Sequence, residues 1–176
     1  MGKLLYSAAM SLDGFIAGPG GDMGWLAPYT GPDPTADELA AETGALLVGR
    51  RTFSGDDPYR GTEAEGQAFG GGWEGPQVVL TRQPAPAVPG VTFCASLAEG
   101  VEAAQAAAGE RTVNVLGATV ARACIEAGLL DEVAVIVMPV LLGAGVQLFE
   151  RPSGPAVPLE LVSQTGTSLR YRVLGR

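Results

Sequence analysis

The chain has 176 residues, 47% hydrophobic and 17% charged, which suffices for one sizeable core and argues against disorder. With no histidine, two cysteines and the single lysine Lys3, it excludes Ser-His-Asp and Cys-His pairs, a His/Cys zinc site and an interior Schiff-base or P-loop lysine. A formal net charge of −8 argues against nucleic acid and anionic membranes as partners, although a few local arginines can still hold one small anion.

No apolar run approaches the ~20 residues of a membrane span. The opening MGKLLYSAAMSLDG is too short and too polar for a signal peptide. Residues 4–10 read instead as a first strand, nearly continuous in apolar residues as a strand buried on both faces should be. Two unpaired-looking cysteines, Cys94 and Cys124, fit a reducing, cytoplasmic setting. After this strand, glycines at 14, 18, 20 and 21 give a loop that can approach a ligand closely or simply turn at the surface. Thr35-x-x-Glu38 has capping-box spacing and predicts a helix start.

Residues 45–48 predict a second strand, followed by Gly49-Arg50-Arg51-Thr52, whose guanidinium and hydroxyl donors suit phosphate. Residues 54–76 then hold seven glycines, five acidic residues and the aromatics Tyr59, Phe69 and Trp73. A loop of that length is uncommon without a function. It reads as a substrate lid whose aromatics stack on a flat ring, or as a dimer contact. The run 78–80 predicts a third strand, with Thr81 and Arg82 just beyond it. Ser96-x-x-Glu99 is a second capping box, and Leu97, Val101, Ala104 and Ala108 mark one face of the helix it starts.

A fourth strand over 113–116 leads into Gly117-Ala118-Thr119-Val120, small residues that open a helix and leave its amides free for an anion. Val120, Cys124 and Ala127 predict that helix's inner face, closed by Gly128. After the run 133–138, Gly143-Ala144-Gly145 fails as a G-x-G-x-x-G fingerprint because Glu150-Arg151-Pro152 arrives before a helix can form. Leu159 and Leu161, then Leu169, Tyr171 and Val173, alternate with polar residues and predict two half-exposed antiparallel strands. The whole reads as an α/β sheet, mostly parallel, with an antiparallel hairpin at one edge. Ligands of such sheets lie beyond the carboxyl ends of the strands. Three of those ends carry phosphate donors, which points to a phosphorylated nucleotide.

The segments SLDGFIAG at 11–18, VGRRT at 48–52, LTR at 80–82, LGATVAR at 116–122 and AGLLDEVAVIVMPVLLGAGVQLF at 127–149 occur in order along nearly the whole chain. Together they resemble the dihydrofolate-reductase-like family that includes the reductase domain of the bifunctional riboflavin-biosynthesis deaminase-reductase. The resemblance implies one domain over residues 1–176, a three-layer α/β/α fold, NADPH as hydride donor, a small-molecule substrate, no metal and a homodimer. It implies cofactor contacts at Ala9, Gly18, Gly49, Arg50, Arg51, Thr52, Leu80, Arg82, Leu116, Gly117, Ala118, Thr119 and Val120. Substrate contacts would fall at Trp25, Asp57 and Tyr59, and the catalytic acids would be Asp13 and Asp37. The chain departs from the riboflavin reductase at Ser7, where a lysine is expected, at Val115, where a glutamate is expected, and after Pro58. An NADPH-dependent reductase of a small heterocyclic, carbonyl or imine substrate is therefore the leading expectation. The 5-amino-6-(5-phosphoribosylamino)uracil reductase and a nucleotide-binding scaffold without turnover are the alternatives.

Overall fold

The computed structural model describes residues 2–83 and 85–175. Strand β1 (Leu4–Ser11) and the short β2 (Phe15–Ala17) lead through 3-10 turns at Pro19–Gly21 and Gly24–Tyr29 to α1 (Pro34–Glu42) and β3 (Thr43–Gly49). One helical turn, α2 (Arg50–Phe53), opens the glycine-rich segment, which has its own 3-10 turn at Ala68–Gly71. Then come β4 (Gln77–Leu80), β5 (Val91–Cys94), α3 (Leu97–Ala108), β6 (Thr112–Leu116) and α4 (Ala118–Glu126). β7 (Glu132–Met138), β8 (Val146–Gln147), β9 (Leu159–Thr165) and β10 (Ser168–Val173) follow.

Eight strands form one sheet in the order β5-β4-β3-β6-β1-β7-β10-β9. The first six are parallel, and the last two are the expected antiparallel hairpin. Because side chains alternate across a strand, β1 serves both faces. Leu4 and Tyr6 join Leu47, Val113, Val115, Val133 and Val135 in the core beneath α3 and α4. Leu5 packs with Ala134 and with Leu39 of α1, and Leu46, Val48 and Val79 pack with Ala40 and Trp73. The result is a mostly parallel sheet with helices on both faces, the dihydrofolate-reductase-like α/β fold. Among the described residues no helix is long and apolar enough to cross a membrane.

Local chemistry sets the elements, with some differences from expectation. Ser96 caps α3 in the predicted box with Glu99. The α1 cap is instead Asp33, whose carboxylate accepts from the Thr35 and Ala36 amides, with Pro34 at the first helical position. An aspartate followed by proline outcompetes the threonine box, since proline has no amide to satisfy. In α4 the inner face is Val120, Ala121 and Cys124, while Ala127 is exposed at the C-cap. β5, β2 and β8 are too short to show a period in the sequence. β9 is exposed along its whole length rather than half-exposed, because it forms the sheet's outer edge beyond β10.

Candidate functional site

The parallel strands deliver their carboxyl ends to one edge. At the β4 and β5 ends, Leu80, Thr81 and Arg82 face Ala95, Ser96 and Leu97 across a shallow cleft of about 230 Å³. Arg50 and Arg51 stand exposed at the neighbouring β3 end. The Arg51 guanidinium reaches across to the Thr119 hydroxyl at 3.1 Å, which joins the turn after β3 to the start of α4. Gly117 holds φ +94° at the end of β6, and a Cβ there would run into the Thr52 hydroxyl. A Cβ on Gly49 would sit 3.2 Å from the Val120 side chain. Gly49, Thr52, Gly117, Ala118, Thr119 and Val120 thus make one tight, side-chain-poor corner, with Leu116 packed beneath it against the core under α1. Guanidinium donors beside open helix-start amides suit the phosphates of a dinucleotide.

The β1 and β7 ends carry a different structure. Leu12 N donates to Val140 O at 2.8 Å and Leu148 N to Gly14 O at 2.8 Å, while Phe15 and Ala17 pair with Gln147 and Val146. The loops after the two strands are therefore stitched together. The Asp13 carboxylate accepts from the Ser11 hydroxyl at 2.6 Å, from Leu142 N at 3.1 Å and from Gly143 N at 2.7 Å. The Ser11 bond, with the Leu142 and Gly143 amides, holds its carboxyl below the usual carboxylate range. This bonding favours the charged form of Asp13, whereas its expected role as an acid would need the carboxyl protonated. Ala9 is half-buried on β1, and Gly18 is buried with its amide donated to Asp22 O. The Gly18 amide is thus already used, which leaves that residue's expected cofactor contact to other atoms.

The remaining predicted residues gather on the α1 side. Met23 N donates to Asp56 at 2.9 Å, which ties the segment of Trp25 to that of Asp57 and Tyr59. The Trp25 indole N–H is buried without a partner among the described residues. Asp57 accepts from the Tyr59 and Gly66 amides, and Tyr59 lies against Gly70. Burial, with the charges of Asp57 and Asp33, pushes the Tyr59 phenol up. Asp37 is exposed on the first turn of α1. The glycine-rich segment is not an open lid of aromatics. Trp73 is buried and its indole N–H donates to Thr43 O at 2.9 Å, while Phe69 packs into the core between α1 and the sheet. Trp73 is thus spent on anchoring the segment, with Phe69 partly buried beside it.

Two polar arrangements lie outside the sequence expectations. Ser11 is fully buried, accepts from Phe15 N at 3.0 Å and donates to Asp13, so it orders the first loop. Ser7 donates to Asn114 at 2.8 Å and Asn114 donates to Thr43 at 3.3 Å, a buried neutral chain under α1. The S-x-D pattern is a readable signal for the first. Nothing local announces the second, whose members are far apart in sequence.

The model of the RibD C-terminal domain family matches residues 2–170. No curated protein matches the sequence. A protein assigned to riboflavin biosynthesis in Shewanella sp. PV-4 superposes with TM-score 0.70 at 22% identity, covering 97% of this chain and 98% of its own. Acinetobacter baumannii RibD gives TM-score 0.64 at 20% identity, with 98% of this chain on 58% of that one. A pyrimidine reductase-like protein of Corynebacterium diphtheriae gives 0.62 at 15%, covering 99% and 93%. The chain thus spans little more than half of RibD but nearly all of the shorter relatives. With a family match along almost its full length and the fold to go with it, this chain belongs to the RibD C-terminal domain family, a reductase-like family.

Proposed function

We propose that the protein is an NADPH-dependent reductase of a small unphosphorylated heterocyclic, carbonyl or imine compound. The observation that carries this reading is the order of groups along the sheet edge. Arg82, Arg50 and Arg51 lie at the ends of β4 and β3, the Gly117 corner at β6, and the stitched loops at β1 and β7. From β4 to β1 is three interstrand steps, about 14 Å. A dinucleotide laid along that edge meets cations at its 2′-phosphate, open amides at its pyrophosphate and the loop pair at its ring. Bound there, NADPH would supply hydride to a polarised C=N or C=O carbon.

The chain's own residues then bind and orient. Arg50 or Arg51, with Arg82, holds the 2′-phosphate, because a dianion needs charge-assisted partners. Gly117 and Ala118 let the backbone approach the pyrophosphate. The proton for the reduced nitrogen or oxygen comes from water, with Asp37 at the α1 end the carboxyl proposed to relay it. Trp25, Asp57 and Tyr59 bound the substrate side. The protein acts as a cytoplasmic homodimer.

Titration of the protein, Arg50→Ala and Arg51→Ala with NADPH and NADH tests the reading. The protein is expected to prefer NADPH, and losing one charge-assisted bond of about 1.5–3 kcal/mol should weaken NADPH roughly 10- to 150-fold in at least one variant. NADH affinity should change little. Unchanged selectivity in both variants would remove the arginine assignment. Cofactor oxidation over a carbonyl and pterin panel then separates a reductase from a nucleotide-binding scaffold.

A further inference from the structure

β1 and β7 run side by side over seven paired residues, so the chain leaves both strands at the same place. The two departing loops could splay apart there, because each is rich in glycine and Leu12 and Leu141 at their tips are exposed. Those two are 67% and 69% exposed, the most exposed large hydrophobic residues described. The loops stay together through backbone bonds at their bases and through Asp13 at their tip. Three donors converge on its two oxygens: the Ser11 hydroxyl, Leu142 N and Gly143 N. Ser11 in turn accepts from Phe15 N, so one carboxylate orders both arms. The same packing leaves no room for a side chain at Gly145, where a Cβ would collide with the backbone of Ala17 and Gly18.

We propose that Asp13 is a positioning residue that locks the loops 11–18 and 139–148 into one rigid lip, and that the lip sets affinity for the nicotinamide end of the cofactor. This rests on the dinucleotide reading above, in which the ring end falls at β1. A carboxylate is required because asparagine offers one acceptor oxygen where donors arrive on both sides, and its NH₂ would face a backbone N–H. A lip that is ordered only a tenth of the time would weaken the ligand it covers about 10-fold. A ligand that ends before reaching it would be unaffected.

The test compares the protein, Asp13→Asn and Asp13→Ala in three measurements: hydrogen exchange of residues 139–148, NADPH affinity and 2′,5′-ADP affinity. Asp13→Ala should lose protection at Leu142 and Gly143 and bind NADPH about 10-fold more weakly, with 2′,5′-ADP affinity unchanged. Asp13→Asn should fall between. NADPH binding unchanged despite lost protection would overturn the proposal. So would equal losses for NADPH and 2′,5′-ADP, the mark of general structural damage. If the unmodified protein bound neither ligand, the dinucleotide reading itself would fail and take this inference with it.

Discussion

Gly117 holds a backbone conformation that L side chains rarely adopt, and its missing Cβ is the space filled by the Thr52 hydroxyl. A side chain there costs roughly 1–3 kcal/mol of strain and blocks the helix-start amides. Gly117→Val is therefore expected to abolish NADPH binding while the protein still folds. Its melting temperature should fall by several degrees, at about 2–4 °C per kcal/mol for a chain of this size. A folded variant that binds NADPH normally in titration would place the phosphates elsewhere. Asp13 shows the same lesson from the opposite side. A carboxylate in a glycine-rich loop looks like an acid in the sequence, whereas the structure brings three donors to it.

Among the elements, α1 is fixed at both ends by polar contacts. Its N-terminal Thr35 donates to Ser168 at 2.9 Å, and its C-terminal Glu42 pairs with Arg170 at 2.9 Å. Arg170 also bonds Glu132 of β7, as does Lys3, at 2.7 Å each. Burial alone would raise the Glu132 carboxyl, but the Lys3 and Arg170 bonds outweigh it and hold it below its ordinary range. A folded-state pKa that is lowered contributes stability above the ordinary carboxylate range, lost as pH falls through the folded value. Arg170→Met leaves a buried carboxylate with only the exposed Lys3, at a cost of about 3 kcal/mol at pH 7. Protonating Glu132 removes both the native benefit and the variant's penalty. The melting-temperature gap between the two proteins should therefore narrow from pH 7 to pH 4. A gap that widens on acidification would mean that Glu132 is not the group being stabilised.

At the scale of the whole molecule, the sheet edge carries exposed cations at one end. Arg50, Arg51 and Arg82 are exposed at the β3 and β4 ends, whereas Asp33 and Asp37 cap and open α1 and Asp56 accepts from Met23 N. Arg60 is paired with Asp56. A phosphoribosylamino-pyrimidine carries a phosphate dianion, which needs charge-assisted partners wherever it binds. Here Ser7 is closed into the neutral chain with Asn114 and Thr43, and Val115 faces the opposite core under α3 and α4. Each absent charge-assisted bond forfeits about 1.5–3 kcal/mol. Turnover of the phosphoribosylamino-pyrimidine should be negligible, and the gene should not rescue a riboflavin-requiring strain that lacks the reductase. Rescue at ordinary expression would restore that alternative.

The sequence by itself determined the sheet's parallel core, the C-terminal hairpin and the arginines and small residues that follow the strands. Those features are local: a buried strand is a continuous apolar run, a cap is a spacing, and parallel strands must end at one edge. The tertiary structure decided what the long-range partners were. Trp73 and Phe69 could be read as ligand-stacking rings until packing showed Thr43 and the α1 face already holding them. Asp13 acquired its partners from a loop about 130 residues away, and the Ser7–Asn114–Thr43 chain joins three strands. A side chain's role depends on which donors reach it, and that is settled only when distant strands pair in register.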